Sequence, residues 1–156
     1  MKINKKVILL VVILLSLFLF QSIVTLKSTN LHFDGPAIIT IGYYFLKYLD
    51  TSMLIGHPPL AFITAGFPLL FTDINIPYSY QECSNIQMYQ CSQDMLFNSG
   101  NNPEKISVYA RTPFIIVSLL LGLLLFFFSK EVYGIKAGLF SLTLYAFSPA
   151  ILAYNT

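Results

Sequence analysis

From Val7 to Leu26 the chain carries no charged residue, and the run opens as Val7-Ile-Leu-Leu-Val-Val-Ile-Leu-Leu-Ser-Leu-Phe-Leu-Phe20. That apolar stretch limits the fold more than any other feature. It reaches the roughly 20 residues an α-helix needs to cross a hydrocarbon core, where only helices and closed barrels satisfy every backbone N–H and C=O. The basic flank Lys2-Ile-Asn-Lys5-Lys6 followed by an apolar segment also fits a secretory signal. Gln21-Ser-Ile-Val-Thr-Leu-Lys27, however, offers no small-x-small cleavage site. The stretch reads as an uncleaved anchor, with Lys2, Lys5 and Lys6 in the cytoplasm by the positive-inside rule and Lys27 onward outside.

Composition agrees. Of 156 residues, 56% are hydrophobic and only 10% charged, where a soluble domain carries about 25% charge. With a formal net charge of +2 and no long basic run, no nucleic-acid partner is implied. Two further spans follow. Pro113-Phe-Ile-Ile-Val-Ser-Leu-Leu-Leu-Gly-Leu-Leu-Leu-Phe-Phe-Phe128, extended to residues 108–129, is one, and residues 137–153 form the other, interrupted by Ser148-Pro149. Lys130 and Lys136 in the turn between them fall on the cytoplasmic side. The expected fold is an all-α integral membrane protein. Three transmembrane helices (7–26, 108–129, 137–153) carry a large external first loop over residues 27–107, with the carboxyl terminus outside.

That loop holds six of the seven acids, Asp34, Asp50, Asp73, Glu82, Asp94 and Glu104. Pro36 to Leu49 is too short to span and rich in Tyr, which favours the lipid–water boundary, so a short interfacial helix is expected there. His57-Pro-Pro-Leu60 places a proline where a helix starts, and Gly66 and Pro68 limit a second short interfacial helix. The aromatics Tyr43, Tyr44, Tyr48 and Phe126 to Phe128 read as interface anchors or lipid-facing bulk. From Thr72 to Glu104 the loop turns polar and contains both cysteines, Cys83 and Cys91. A disulfide suits an external loop; two free thiols are the alternative, and a zinc site lacks two further ligands at finger-like spacing. No Gly-rich phosphate loop and no Gly-x-Ser-x-Gly elbow occurs.

Taken together, the amino-terminal anchor, His32-Phe-Asp-Gly-Pro-Ala-Ile-Ile-Thr-Ile-Gly-Tyr-Tyr44, Gly56-His-Pro-Pro-Leu60, Ala110-Arg-Thr-Pro113, Val132-Tyr-Gly134 and Phe147-Ser-Pro149 form an ordered series. The series resembles the amino-terminal part of membrane glycosyltransferases of the GT-C type. Within that type it is most similar to the dolichyl-phosphate-mannose protein mannosyltransferases and the prokaryotic polyprenyl-phosphate-sugar transferases. The resemblance covers nearly the whole chain apart from Thr72 to Glu104. It implies a lipid-linked sugar donor, a protein or lipid/glycan acceptor on the external face, and contact with membrane lipids. It also implies that Asp34 is the catalytic acid, matching the Asp of the family's Asp-Glu pair, which acts as acceptor base or takes part in binding a divalent cation. Gly35 stands where the family has Glu. His57 matches the family's His-Pro-Pro and Arg111 an arginine at the external end of the second span, both on the substrate-binding side. Family members are longer, which implies that this chain is a fragment of a larger enzyme or a truncated relative.

The residue types suit that chemistry on their own. Transfer from a lipid phosphate needs a base near the attacking hydroxyl and positive charge near the leaving phosphate, and a guanidinium offers paired donors that stay charged. Other roles remain open to the same residues. Asp34-Gly-Pro36 is also a good helix N-cap, His57 suits a bond to a loop carbonyl, and Arg111 suits an ion pair with Asp34 or snorkelling to the membrane boundary. A reading of a different class is a non-catalytic membrane scaffold or assembly protein using residues 72–104 as its binding surface.

Overall fold

The structure, a computed structural model, describes residues 4–28, 31, 34–54 and 58–154. In chain order the elements are α1 (Lys5–Ser28), α2 (Gly35–Tyr48), α3 (Pro59–Gly66) continued by a 3-10 turn over Phe67–Phe71, α4 (Tyr80–Asn85), α5 (Met88–Gln93) continued by a π turn over Asp94–Asn98, α6 (Pro103–Tyr133), α7 (Ile135–Ala146) and α8 (Pro149–Tyr154). Among the described residues, α1 with 24 residues and α6 with 31 are long and apolar enough to cross a membrane. The protein is thus all-α and membrane-associated.

The third expected span is divided. α7 stops at Ala146 after 12 residues, about 18 Å of helix against a core of ~30 Å. Pro149 is the cause: it has no N–H to give and it disfavours helical backbone at Ser148. The loosened carbonyls find other donors. Ser148 N–H donates to the Tyr145 carbonyl at 3.2 Å, and Gln21 Nε2 donates to the Ala146 carbonyl at 3.4 Å. Pro113 does not interrupt the second span, expected over residues 108–129. It lies inside α6, which starts ten residues earlier at Pro103, where Asn102 Oδ1 accepts the Lys105 N–H at 3.0 Å as an N-cap should.

The chain divides into two compact units, residues 1–29 with 114–156, and residues 30–113. In the first, Val11, Phe126 and Leu142 join α1, α6 and α7, and Phe18, Tyr145 and Ala146 form a neighbouring cluster. Phe126 is therefore core rather than lipid-facing bulk, whereas Phe127 and Phe128 are exposed. At Gly138 an added Cβ would lie 2.8 Å from the Phe126 carbonyl oxygen, and small residues at such contacts are what helix packing in lipid favours. Gly134 between α6 and α7 has φ +90° and ψ 173°, a backbone state essentially confined to glycine.

In the second unit α2 is central, not peripheral. Pro36, Ile39, Thr40, Ile41, Gly42, Tyr43 and Tyr44 are all buried, so Tyr43 and Tyr44 are not the boundary anchors expected from their type. α3 crosses α2 where Gly42 meets Gly66 backbone to backbone, and that close approach encloses the tyrosines. Tyr44 Oη donates to the Tyr78 carbonyl at 2.7 Å, which gives its polar end the partner a buried phenol needs. Burial raises its pKa, helped by Tyr48, Tyr43 and Glu82. Tyr48 remains half-exposed and contacts the rings of Tyr44 and Tyr80 at 5.9 and 5.6 Å.

The polar stretch after Thr72 is folded. Ser79 and Glu82 form a capping box that starts α4, a pattern the sequence carries as Ser79-Tyr-Gln-Glu82. A disulfide links Cys83 in α4 to Cys91 in α5, both fully buried, with Cα atoms 5.5 Å apart. Closing so short a loop stabilises by about 2–3 kcal/mol in the chain-entropy model. Asp94 then organises the π turn. Its Oδ2 accepts from Tyr78 Oη at 2.7 Å, its Oδ1 from Asn98 Nδ2 at 2.6 Å and its carbonyl from Ser99 Oγ at 2.5 Å. Asn101 donates to the carbonyls of Asn75 and Met95 at 2.8 and 2.6 Å. These bonds give residues 72–104 a fixed shape without a large apolar core.

Candidate active site

Asp34 occupies the N-cap position of α2, with Pro36 in the first turn, and its carbonyl accepts the Ile38 N–H at 3.0 Å. Its side chain makes no capping hydrogen bond. The backbone explains this: φ −83° and ψ −10° are helical, whereas a capping side chain reaches the N2 or N3 amide from an extended backbone. Position N2 is moreover Pro36, which has no amide proton. The carboxylate is exposed at the positive end of the helix dipole.

Gly35 is packed. A Cβ there would lie 3.1 Å from Leu31 Cδ2 and 3.3 Å from Leu31 Cβ, so a second acid at this position requires Leu31 to shift. Arg111 lies in α6 within the same unit and is 9% exposed, with Nη1 donating to Ser107 Oγ at 3.4 Å. It is enclosed by protein rather than extended to the surface. Among the described residues Asp34 and Arg111 form no ion pair; the salt bridge found there joins Lys130 to Glu131 at 3.3 Å. His57 lies outside the described residues. The structure thus carries Asp34 and Arg111 in one unit, with no ion pair between them among the described residues.

No group of three or more His, Cys, Asp or Glu that could hold a metal ion occurs among the described residues. No family model, curated protein or solved structure matches the chain.

Sequence reasoning did not single out the Tyr44–Tyr78–Asp94 chain of hydrogen bonds, which fixes the loop to α2. Its members lie up to 50 residues apart, and nothing local marks them as partners. Asp94 is held below the ordinary carboxylate range by Asn98 first and Tyr78 second, and Tyr78 is correspondingly raised by its bond to Asp94. Asp50 is lowered by the Ser52 amide and by Tyr80, and Ser52 and Tyr80 hydrogen-bond each other. These groups are already committed to one another, whereas Asp34 is not.

Proposed function

We propose that this chain is the amino-terminal membrane portion of a GT-C type glycosyltransferase that moves a sugar from a polyprenyl- or dolichyl-phosphate donor to a protein or lipid/glycan acceptor. The observation that carries this reading is Asp34: an exposed carboxylate at a helix start that makes no capping bond, in the Asp-Gly-Pro context where the resemblance puts the catalytic acid. The acceptor hydroxyl attacks the anomeric carbon, its proton passes to Asp34, and the bond from that carbon to the lipid phosphate breaks. The phosphate leaves with the electron pair, and Arg111 with His57 compensates its charge. In this reading the chain crosses the bilayer three times, α7 and α8 together making the third crossing. The amino terminus is cytoplasmic, and residues 27–107 are external.

The test is sugar transfer from a polyprenyl-phosphate donor in membranes containing the chain in its full-length context. Asp34→Asn lowers transfer by about 10²–10⁴-fold, the range of a lost general base, while the amount inserted in the membrane stays the same. Transfer at the wild-type rate by Asp34→Asn removes the assignment. A second reading, a scaffold that binds through residues 72–104, is favoured by Tyr89 and Phe97, each 49% exposed on an otherwise hydrogen-bonded and disulfide-tied surface. Under it, Asp34→Asn is silent and Tyr89→Ser with Phe97→Ser abolishes function.

A further inference from the structure

α3 and the turn that follows it are apolar on two sides. The inner side, Phe62, Ala65 and Leu69, is 4%, 2% and 0% exposed. The outer side carries Leu60 at 72%, Phe67 at 54%, Leu70 at 41% and Phe71 at 77%. Phe67 and Phe71 stand edge to face, with ring centroids 5.4 Å apart, so they form one contiguous patch. From Pro58 to Thr72 there is no charged residue. A helix apolar all round is covered on both sides, and a patch of exposed aromatic and aliphatic groups marks a surface that something occupies.

We propose that the outer face of α3 and its turn, Leu60, Phe67, Leu70 and Phe71, is immersed in the headgroup–acyl boundary of the bilayer and anchors the second unit to the membrane surface. The occupant follows from the chain's connections. Six residues join the end of α1 to the start of α2, and six extended residues reach at most about 20 Å. The unit ends within α6, which runs on without a break as a helix of spanning length. Two apolar helices therefore keep the unit beside lipid at all times. With no charge on this face, insertion costs no desolvation of ions. Of the two short interfacial helices expected in this loop, α2 is enclosed by protein, so the membrane contact falls to α3. None of this depends on glycosyl transfer.

The chain has no tryptophan, so Phe71→Trp supplies a single tryptophan, excited on the red edge where the tyrosines do not absorb. The purified full chain is reconstituted in phosphatidylcholine vesicles with and without brominated acyl chains, and emission is also titrated with aqueous iodide. An apolar face buried ~5–10 Å into the boundary loses at least half of its emission to bromine and little to iodide. Tyr89→Trp, on the polar loop, shows the reverse. Leu60→Trp, at the other end of the face, repeats the measurement should Phe71→Trp not fold. Iodide quenching of Trp at position 71 or 60 equal to that at 89 places the face in water and overturns the proposal. Protection from both quenchers means that protein covers the face, a second copy or another segment, and overturns it equally.

Discussion

At Gly42 an added Cβ would stand 2.0 Å from the Phe62 carbonyl oxygen, and at Gly66 2.3 Å from the Gly42 carbonyl carbon. Both obstacles are backbone, which cannot rotate aside as a side chain does. Two effects of Gly42→Ala therefore oppose one another. Alanine favours a helix by about 1 kcal/mol over glycine, while overpacking costs about 1–3 kcal/mol or more, and a clash with backbone belongs at the upper end. We expect Gly42→Ala to destabilise the protein by about 2 kcal/mol net, read as a lower denaturant midpoint by circular dichroism in detergent. A raised midpoint would show that the helices separate at little cost. Nothing in the sequence disclosed this contact, since a glycine in one helix does not name the helix that crosses it. Asp34 gives the converse lesson. Asp-Gly-Pro spells an N-cap, and only the helical backbone at Asp34 reveals that the cap bond is not made.

Among the elements, those with a local cause were legible in the chain. The proline at the start of α3, the Gly66-Phe-Pro68 sequence at its end and the apolar length of α1 each act within a few residues. Residues 72–104 were legible only in their Cys83–Cys91 bridge, because the rest of their fold rests on side-chain bonds between distant positions, with Tyr78, Asp94, Asn75 and Asn101 as the principal members. That reliance gives the segment, together with Asp50 whose carboxylate bonds to its Tyr80, a pH dependence. Asp50, Glu82 and Asp94 are all lowered in the folded protein. Their contribution is accordingly complete above the ordinary carboxylate value, 3.8 for the aspartates, and is lost as pH falls through the lower folded values. The thermal midpoint should hold steady from neutral pH down to about 5 and decline below about 4. Asp94→Asn should start lower and decline less, because one of the three carboxylates no longer takes up a proton on unfolding. Parallel declines in the two proteins would mean that Asp94 contributes nothing to the acid limb.

For the whole molecule, the proposed function carries an orientation in the bilayer that the distribution of charge favours. Lys5 and Lys6 precede α1, and Lys130 and Lys136 flank the α6–α7 turn. With α1 and α6 each crossing once, both basic groups fall on the same side of the bilayer and residues 30–102 on the other. Cytoplasmic loops collect Lys and Arg, so the proposed reading puts the disulfide-tied segment outside, a side that suits a Cys83–Cys91 bridge. A glycosylation reporter reads this directly. Gln87→Thr creates the acceptor Asn85-Ile86-Thr in the exposed link between α4 and α5, and Asn-x-Thr is modified only on the lumenal or external side. Translated into microsomes, the Gln87→Thr chain should gain the mass of one glycan, removable by endoglycosidase, while the parent chain should not. Protease added outside the vesicles should leave that segment intact and cut at the Lys130–Lys136 turn. An unmodified but inserted Gln87→Thr chain, with the segment open to protease instead, would reverse the orientation. Asp34 would then face the cytoplasm with the rest of its unit, and the acceptor would have to be sought there.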